Sequence, residues 1–182
     1  MSDPRDHGLV PHVTTARLLL REPRKTDFET YHQAMSDPEM TRHLPSMPSD
    51  RRNSWRVFTS LLGQWAMMDA GWWLVELHET RQIVGIVGAF FREGAIGRER
   101  EVDIELGWSV FTAHQRRGYA TEAARAALTW AFANHPSARA VAYVDASNVA
   151  SARVAEGIGM KREGEVDFYG ERVPRFAVDR PG

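Results

Sequence analysis

The sequence predicts one α/β domain built on a mixed sheet, and three observations predict it. Strand-like and helix-like runs alternate through most of the chain. The end is a pair of strand runs, Lys161 to Val166 and Arg172 to Val178, joined through Tyr169-Gly170. Between them in importance, a strand of period two leads directly into a short basic turn and an Ala-rich helix. At 182 residues the chain can bury a core without staples, and it holds no cysteine, which removes disulfides, thiolate metal sites and cysteine nucleophiles. A net charge of −1 gives no basic field to recruit nucleic acid.

Residues 1–13 read as a loose arm, with a single domain over 14–182. The arm has no apolar core and is not a signal peptide, and no apolar run approaches the roughly 20 residues of a membrane helix. A soluble, cytoplasmic protein without membrane or nucleic-acid partners is the expectation. Thr15 to Glu22 reads as the first strand, stopped by Pro23. Thr26-Asp27-Phe28-Glu29 has capping-box spacing for a helix to Met35, broken at Asp37-Pro38. Ser49 is placed to cap a second helix whose Trp55, Phe58, Leu61, Leu62, Trp65 and Met68 form an apolar stripe. That stripe is core, or at its Trp55 end the lip of a cleft. Trp72–Leu77 and Ile83–Phe91 read as a hairpin, with Gly85 and Gly88 marking a bulge or a close neighbour.

The next strand places Val102, Ile104, Leu106, Trp108 and Val110 on one face and Asp103, Glu105, Gly107 and Ser109 on the other. Gln115-Arg116-Arg117-Gly118-Tyr119-Ala120-Thr121 follows and opens a helix to about Asn134. A helix N-terminus with free N–H groups, a glycine and two arginines is a layout for holding phosphate. Ala140–Val144 reads as a strand, and Asn148 caps a short helix ending near Gly157 and Gly159.

Gln115 to Ala120 matches the Q/R-x-x-G-x-G/A pattern of the GNAT superfamily of acyl-CoA N-acyltransferases. Glu105-Leu106-Gly107-Trp108, Tyr119-Ala120-Thr121-Glu122-Ala123, Asn148-Val149-Ala150-Ser151, Gly157-Ile158-Gly159-Met160 and the opening Thr15 to Arg21 resemble its RimJ/RimL-like branch, so the similarity spans about Thr14 to Val178. The resemblance implies a mostly antiparallel seven-stranded sheet, splayed between strands four and five and flanked by about four helices. It also implies acetyl-CoA as co-substrate, with the pantetheine against backbone groups of Trp108 and Val110 and the pyrophosphate on the N–H groups from Arg116 to Thr121. Asn148 and Ser151 match the positions for polar contacts to the pantetheine and thiol end, although Asn148 also reads as an ordinary cap.

Many members of the superfamily carry a tyrosine one turn along this last helix, to protonate the leaving thiolate; here the position is Ala155. Either Ser151 takes that role or the thiolate leaves unassisted, which a thiol pKa near 8.5 permits. The ammonium of the acceptor must also lose a proton before attack. Glu105, acting through water, is the first candidate base and Asp103 the second; the bland reading is two solvated carboxylates. A backbone N–H near Val110 is the expected oxyanion donor. No His pair at three- or four-residue spacing occurs, nor a His-Glu-x-x-His, so no metal is expected.

The expected activity is therefore acetyl transfer to a primary amine, either a protein N-terminal α-amine or a small molecule. The alternatives are a non-catalytic acyl-CoA sensor or scaffold, motivated by Ala155, and a longer donor such as succinyl-CoA bound by Arg42, Arg51, Arg52 or Arg56. The acceptor site is expected near the first two helices and the terminal hairpin, where Trp55, Trp65, Trp72, Trp73 and Tyr169 are concentrated. Phe168, Phe176 and Val178 are either a homodimer contact or core.

Overall fold

The computed structural model describes residues 8–44, 50–92, 102–168 and 170–182; Ser49 and Tyr169 lie outside them. Its strands are β1 (Val13–Thr14), β2 (Leu18–Arg21), β3 (Gly71–Leu77), β4 (Ile83–Phe90), β5 (Ile104–Val110), β6 (Arg139–Tyr143), β7 (Lys161–Phe168) and β8 (Glu171–Asp179). Its helices are α1 (Phe28–Met35), α2 (Pro38–Thr41), α3 (Arg51–Met68), α4 (Tyr119–Asn134) and α5 (Val149–Gly157). The strands form one sheet of order β1-β2-β3-β4-β5-β6-β8-β7. Only β5 and β6 run parallel, and they pair at just two positions, Ile104 with Ala140 and Glu105 with Val141. Beyond Glu105 the two strands part, so the expected splay between the fourth and fifth strands lies at β5/β6.

The sheet has eight strands rather than seven because Val13 and Thr14 pair with Leu20 and Leu19. Thr15 to Arg17 are accordingly a tight turn and not strand, with the Thr15 N–H donating to the Leu18 carbonyl at 2.9 Å. The end of the expected loose arm also belongs to the fold: Val10 is buried, and the Pro11 carbonyl accepts from the Trp73 indole at 2.7 Å.

Two apolar layers sandwich the sheet. On one face Ala123, Ala124, Ala127 and Ala131 of α4 bring the helix close to Trp73, Val75, Val87, Ile104 and Leu106. On the other, Phe28, Tyr31 and Met35 of α1 and Phe58 and Leu61 of α3 cover Leu74, Ile83 and Ile86. Burial from both sides explains why β3 and β4 read as continuous apolar runs instead of alternating ones. Among the described residues no helix is long and apolar enough to cross a membrane.

Several local expectations are corrected. Thr26 and Glu29 do not form the expected box: Asp27 closes the 3-10 turn Lys25–Asp27 that precedes α1, its carboxylate accepting from the Arg24 N–H at 2.8 Å, α1 has no side-chain cap of its own, and Glu29 pairs with Arg51. Asp50 caps α3, accepting from the Asn53 N–H at 2.9 Å. Asp37-Pro38 ends one helix and starts another, with Asp37 accepting from the Glu39 N–H. Trp65 and Trp73 do not face an acceptor: they are fully buried and meet edge-on at 4.6 Å, with Trp130 against both. Phe176 is core and Val178 packs against it, so neither is an exposed patch.

Gly85 and Gly88 mark both things their pattern suggested. The register shifts opposite Gly85, between Val75 and Glu76. A Cβ on Gly85 would stand 2.3 Å from the Ser109 carbonyl oxygen, an atom the strand cannot move independently. Gly85→Ala should therefore lower stability by about 1–3 kcal/mol, read as a shift of the urea midpoint, and an unchanged midpoint would contradict the close approach.

Candidate active site

The parting of β5 and β6 leaves a slot whose walls are backbone. Phe111 donates its N–H to the Val84 carbonyl of the β4 side at 2.9 Å. Because N–H and C=O groups alternate sides along a strand, Trp108 and Val110 turn theirs toward the slot. On the opposite wall the Val144 N–H goes to Pro174, so by the same alternation Tyr143 turns its groups inward. The Val110 carbonyl is engaged by the Gln115 side-chain amide at 3.1 Å, which leaves the Val110 N–H and both groups of Trp108 facing the opening.

At the end of β5 the chain makes a 3-10 turn at Thr112–His114 and then the basic turn into α4. Arg116 and Gly118 both adopt left-handed backbone, with φ of 60° and 79°. The angle at 118 favours glycine, and a Cβ there would also stand 3.3 Å from the Arg17 guanidinium. Gly118 occupies the cap position of α4, and no side chain caps the helix. The N–H groups of the first turn therefore have neither an intrahelical acceptor nor a side chain to satisfy them. Arg116 and Arg117 are exposed and make no ion pair among the described residues. The positive field is felt next door: burial, and after it the Arg117 guanidinium, hold the His114 pKa below its ordinary value. An uncapped helix start with two unpaired guanidinium groups fits a diphosphate.

Glu105 sits at the apex of the slot, on the last pair joining β5 to β6, and is 8% exposed. Both its oxygens accept from Arg92, from Nε and Nη2 at 2.5 Å. Burial raises the Glu105 pKa and the Arg92 contacts oppose it, with a net shift upward. Asp103 does not share this setting; it precedes the strand and pairs with Arg175, which also holds Glu163. Arg92 and Arg175, with Tyr143, Val166, Asp167 and Phe168, line a cavity of about 440 Å³ beside the apex. Phe168 stacks near Tyr143 at 4.7 Å and Arg92 lies over the Phe168 ring at 4.5 Å.

At the far end of the slot, α5 begins with Asn148, whose side-chain oxygen accepts from the Ser151 N–H at 3.0 Å. Ser151 is half-buried in that first turn. Ala155, one turn on, is completely buried in the α4-side core, so a larger side chain there would overpack it. Thr121 of α4 meets the end of α5 at Gly157. The structure thus gathers Trp108, Val110, Gln115 and the turn to Thr121 along one slot, with Glu105 at its apex, Asn148 and Ser151 on the β6 side, and Asp103 off the slot in a separate ion pair.

Residues 17–161 match the acetyltransferase (GNAT) domain family. The chain belongs to the GNAT acetyltransferase family. An N-acetyltransferase of Bacillus subtilis, YnaD, is 28% identical over 164 residues, covering 90% of this chain and 89% of its own. The crystal structure of an acetyltransferase from Agrobacterium tumefaciens, 30% identical, superposes with a TM-score of 0.80 over 93% of this chain and 94% of that one. RimL, a ribosomal α-N-protein acetyltransferase in complex with coenzyme A, shares the fold at 16% identity, with a TM-score of 0.74 over 93% and 98% of the two chains. This GNAT enzyme is an acyltransferase, and relatives of its fold have been captured with coenzyme A or acetyl-CoA.

Several site residues of the GNAT domain were not picked out from the sequence. Arg92 meets Glu105 across 13 positions of chain, and nothing in the local pattern of Phe91-Arg92 announces it. Trp72, expected near the acceptor but without a defined place, lies over Gly88 and Gly107, whose added Cβ atoms would come within 2.7 and 2.4 Å of its indole, so it floors the face carrying Glu105. The two glycines, spaced to lie across from one another, were the available signal. His43 meets Asp145 at 3.5 Å, and Asp37 accepts from Thr112 at 2.6 Å, tying the α2 segment to both strand ends of the slot. Among the described residues no group of three His, Cys, Asp or Glu could hold a metal ion.

Proposed function

We propose that this enzyme transfers an acetyl group from acetyl-CoA directly to a primary amine, either a protein N-terminal α-amine or a small-molecule amine. The observation that carries the proposal is the continuity of the β5/β6 slot with the uncapped, doubly basic start of α4. Backbone groups of Trp108 and Val110 would pair with the amides of the pantetheine arm as a strand pairs with a peptide. The N–H groups from Arg116 to Thr121, with both guanidinium groups, would hold the pyrophosphate. Gln115 fixes the Val110 end by holding its carbonyl.

In the reaction the amine nitrogen attacks the thioester carbonyl carbon, and the C–S bond breaks as the new C–N bond is kept. Negative charge on the carbonyl oxygen is met by the Val110 N–H. The proton released by the ammonium passes through water to Glu105, which burial makes more basic than an ordinary carboxylate. As the amide forms its nitrogen loses a second proton, which reaches the departing thiolate through water or by relay through the Ser151 hydroxyl, the serine regaining a proton as it gives one up; Ala155 leaves no room for a phenol. Asp103 serves by holding Arg175 in the wall of the acceptor cavity. Of the arginines considered for a longer donor, Arg51 pairs with Glu29 at the surface.

The test is calorimetric binding of acetyl-CoA together with thiol release against N-terminal peptides, amino acids and polyamines. Peptides are included because RimL, of like fold, acts on a protein α-amine. The expected result is turnover with at least one class, and donor binding weakened about tenfold or more in the Arg116→Ala/Arg117→Ala double variant. Tight binding without thiol release for any amine would identify an acyl-CoA sensor instead.

A further inference from the structure

One side chain from the opposite end of the sequence holds the whole basic turn. Arg17, in the β1–β2 turn, donates from Nη1 to the Arg117 carbonyl at 2.9 Å. Its Nε and Nη2 reach Glu122 Oε2 at 2.7 and 2.6 Å. Its guanidinium lies over the Tyr119 ring at 4.8 Å, and a Cβ added to Gly118 would stand 3.3 Å from its Nη2. Glu122 receives two more bonds from the same turn, from the Thr15 hydroxyl at 2.6 Å and the Arg17 N–H at 3.0 Å. Arg117, Gly118, Tyr119 and Glu122 are thereby tied to a segment about a hundred residues away.

Two physical consequences follow. A turn with left-handed backbone at Arg116 and Gly118 and no side-chain cap has little of its own to keep it in place. Arg17 supplies the restraint through the Arg117 carbonyl, so the turn's N–H groups remain directed outward for a ligand. The second consequence is electrostatic. Glu122 carries negative charge in the first turn of α4, favourable for the helix but repulsive to a diphosphate there. Its bidentate partner cancels that charge.

We propose that Arg17 is a positioning and charge-masking residue of the donor site, with Glu122 as its anchor. The proposal rests on the reading of the basic turn as the acetyl-CoA pyrophosphate site. Arg17 acts through the turn: Nε and Nη2 are directed to Glu122 and Nη1 to the Arg117 carbonyl, so its effect is on donor affinity and not on chemistry.

The experiment measures KM for acetyl-CoA, KM for the amine and kcat in wild type, Arg17→Ala, Arg17→Lys, Glu122→Gln and the Arg17→Ala/Glu122→Gln pair, with melting temperatures alongside. Arg17→Ala should raise the donor KM about tenfold or more, leaving kcat and the amine KM within about twofold of wild type. Its deficit relative to wild type should shrink with added salt, because an unmasked Glu122 is screened. Glu122→Gln alone should cost less than Arg17→Ala, and added to Arg17→Ala it should recover part of the loss and flatten the salt dependence. Arg17→Lys should restore the masking but not the fork, and so fall between.

A merely structural role moves melting temperature and all kinetic constants together, with the two single variants equal and the pair no better; that result would overturn the proposal. Should Arg17→Ala fail to fold, Arg17→Lys and Glu122→Gln carry the same comparison, and donor KM values equal to wild type in both would also overturn it. Wild-type protein that binds no acetyl-CoA would remove the donor reading beneath it. Wild type that binds while Arg17→Ala binds equally well removes the clamp alone.

Discussion

Replacing Glu105 with glutamine is expected to lower kcat by roughly 10²–10⁴, the range for losing a positioned general base, while KM for acetyl-CoA stays near wild type. Glutamine keeps the size of the side chain and an oxygen that can accept from Arg92, so the change removes basicity with little change in packing. The pH profile gives the sign. Burial, opposed by Arg92, sets the folded-state pKa of Glu105 above its ordinary 4.5. Below that pKa the carboxyl is protonated and cannot accept the ammonium proton, so kcat/KM should fall on the acid side, and that limb should vanish in Glu105→Gln. Arg92→Met removes the contacts that oppose the burial term, and the limb should then move to higher pH. Wild-type rates and an unchanged limb in Glu105→Gln, measured by thiol release from about pH 5 to 9, would leave Glu105 as a structural partner of Arg92 only.

The two halves of this site differed in how far the sequence disclosed them, and the reason is range. The β5 alternation, the Gln115 to Thr121 turn and the Asn148 cap are local patterns, set by strand pleat, backbone angle and helix ends within a few residues. They were readable, and they mark the slot proposed for the donor. The acceptor side depends on pairs distant in sequence, such as Arg92 with Glu105 and Arg175 with Asp103, which no periodicity encodes.

The misreadings have the same origin. Thr26 and Glu29 have capping-box spacing, yet a 3-10 turn closed by Asp27 precedes α1 instead, the Asp27 carboxylate being held by Arg21 where it also reaches the Arg24 N–H. Trp72 and Trp73 are neighbours in sequence on a strand buried on both faces, so one floors the catalytic side while the other disappears into the α4 core. Composition alone cannot say which is which.

Removing the guanidinium of Arg21 should give the largest loss of stability of any single change considered. Arg21 is 3% exposed and holds three acceptors: Asp27 with both terminal nitrogens at 2.8 and 2.9 Å, Glu76 at 2.6 Å and the Glu22 carbonyl at 2.7 Å. Asp27 and Glu76 are themselves buried. Glu76 would keep Arg81 and Asp27 would keep the Arg24 N–H, but two carboxylates would share an apolar pocket without the cation between them. Breaking a buried pair from one side costs about 3–5 kcal/mol, because the partner's desolvation is left uncompensated.

Arg21→Met should therefore lower the unfolding free energy by that amount. It should also depress Tm by roughly 6–20 °C, at the 2–4 °C per kcal/mol typical of this chain length. The asymmetry is the diagnostic part. In Arg21→Met/Glu76→Met/Asp27→Asn neither carboxylate partner of Arg21 remains, and much of the loss should return, since the charges contribute through their mutual compensation more than through net attraction. The network lies between β2, β3 and the start of α1, away from the β5/β6 slot, so whatever fraction stays folded should keep the wild-type donor KM. An unfolding free energy for Arg21→Met, from urea titration, within about 0.5 kcal/mol of wild type would show that water reaches this cluster and that its burial does not govern its energy.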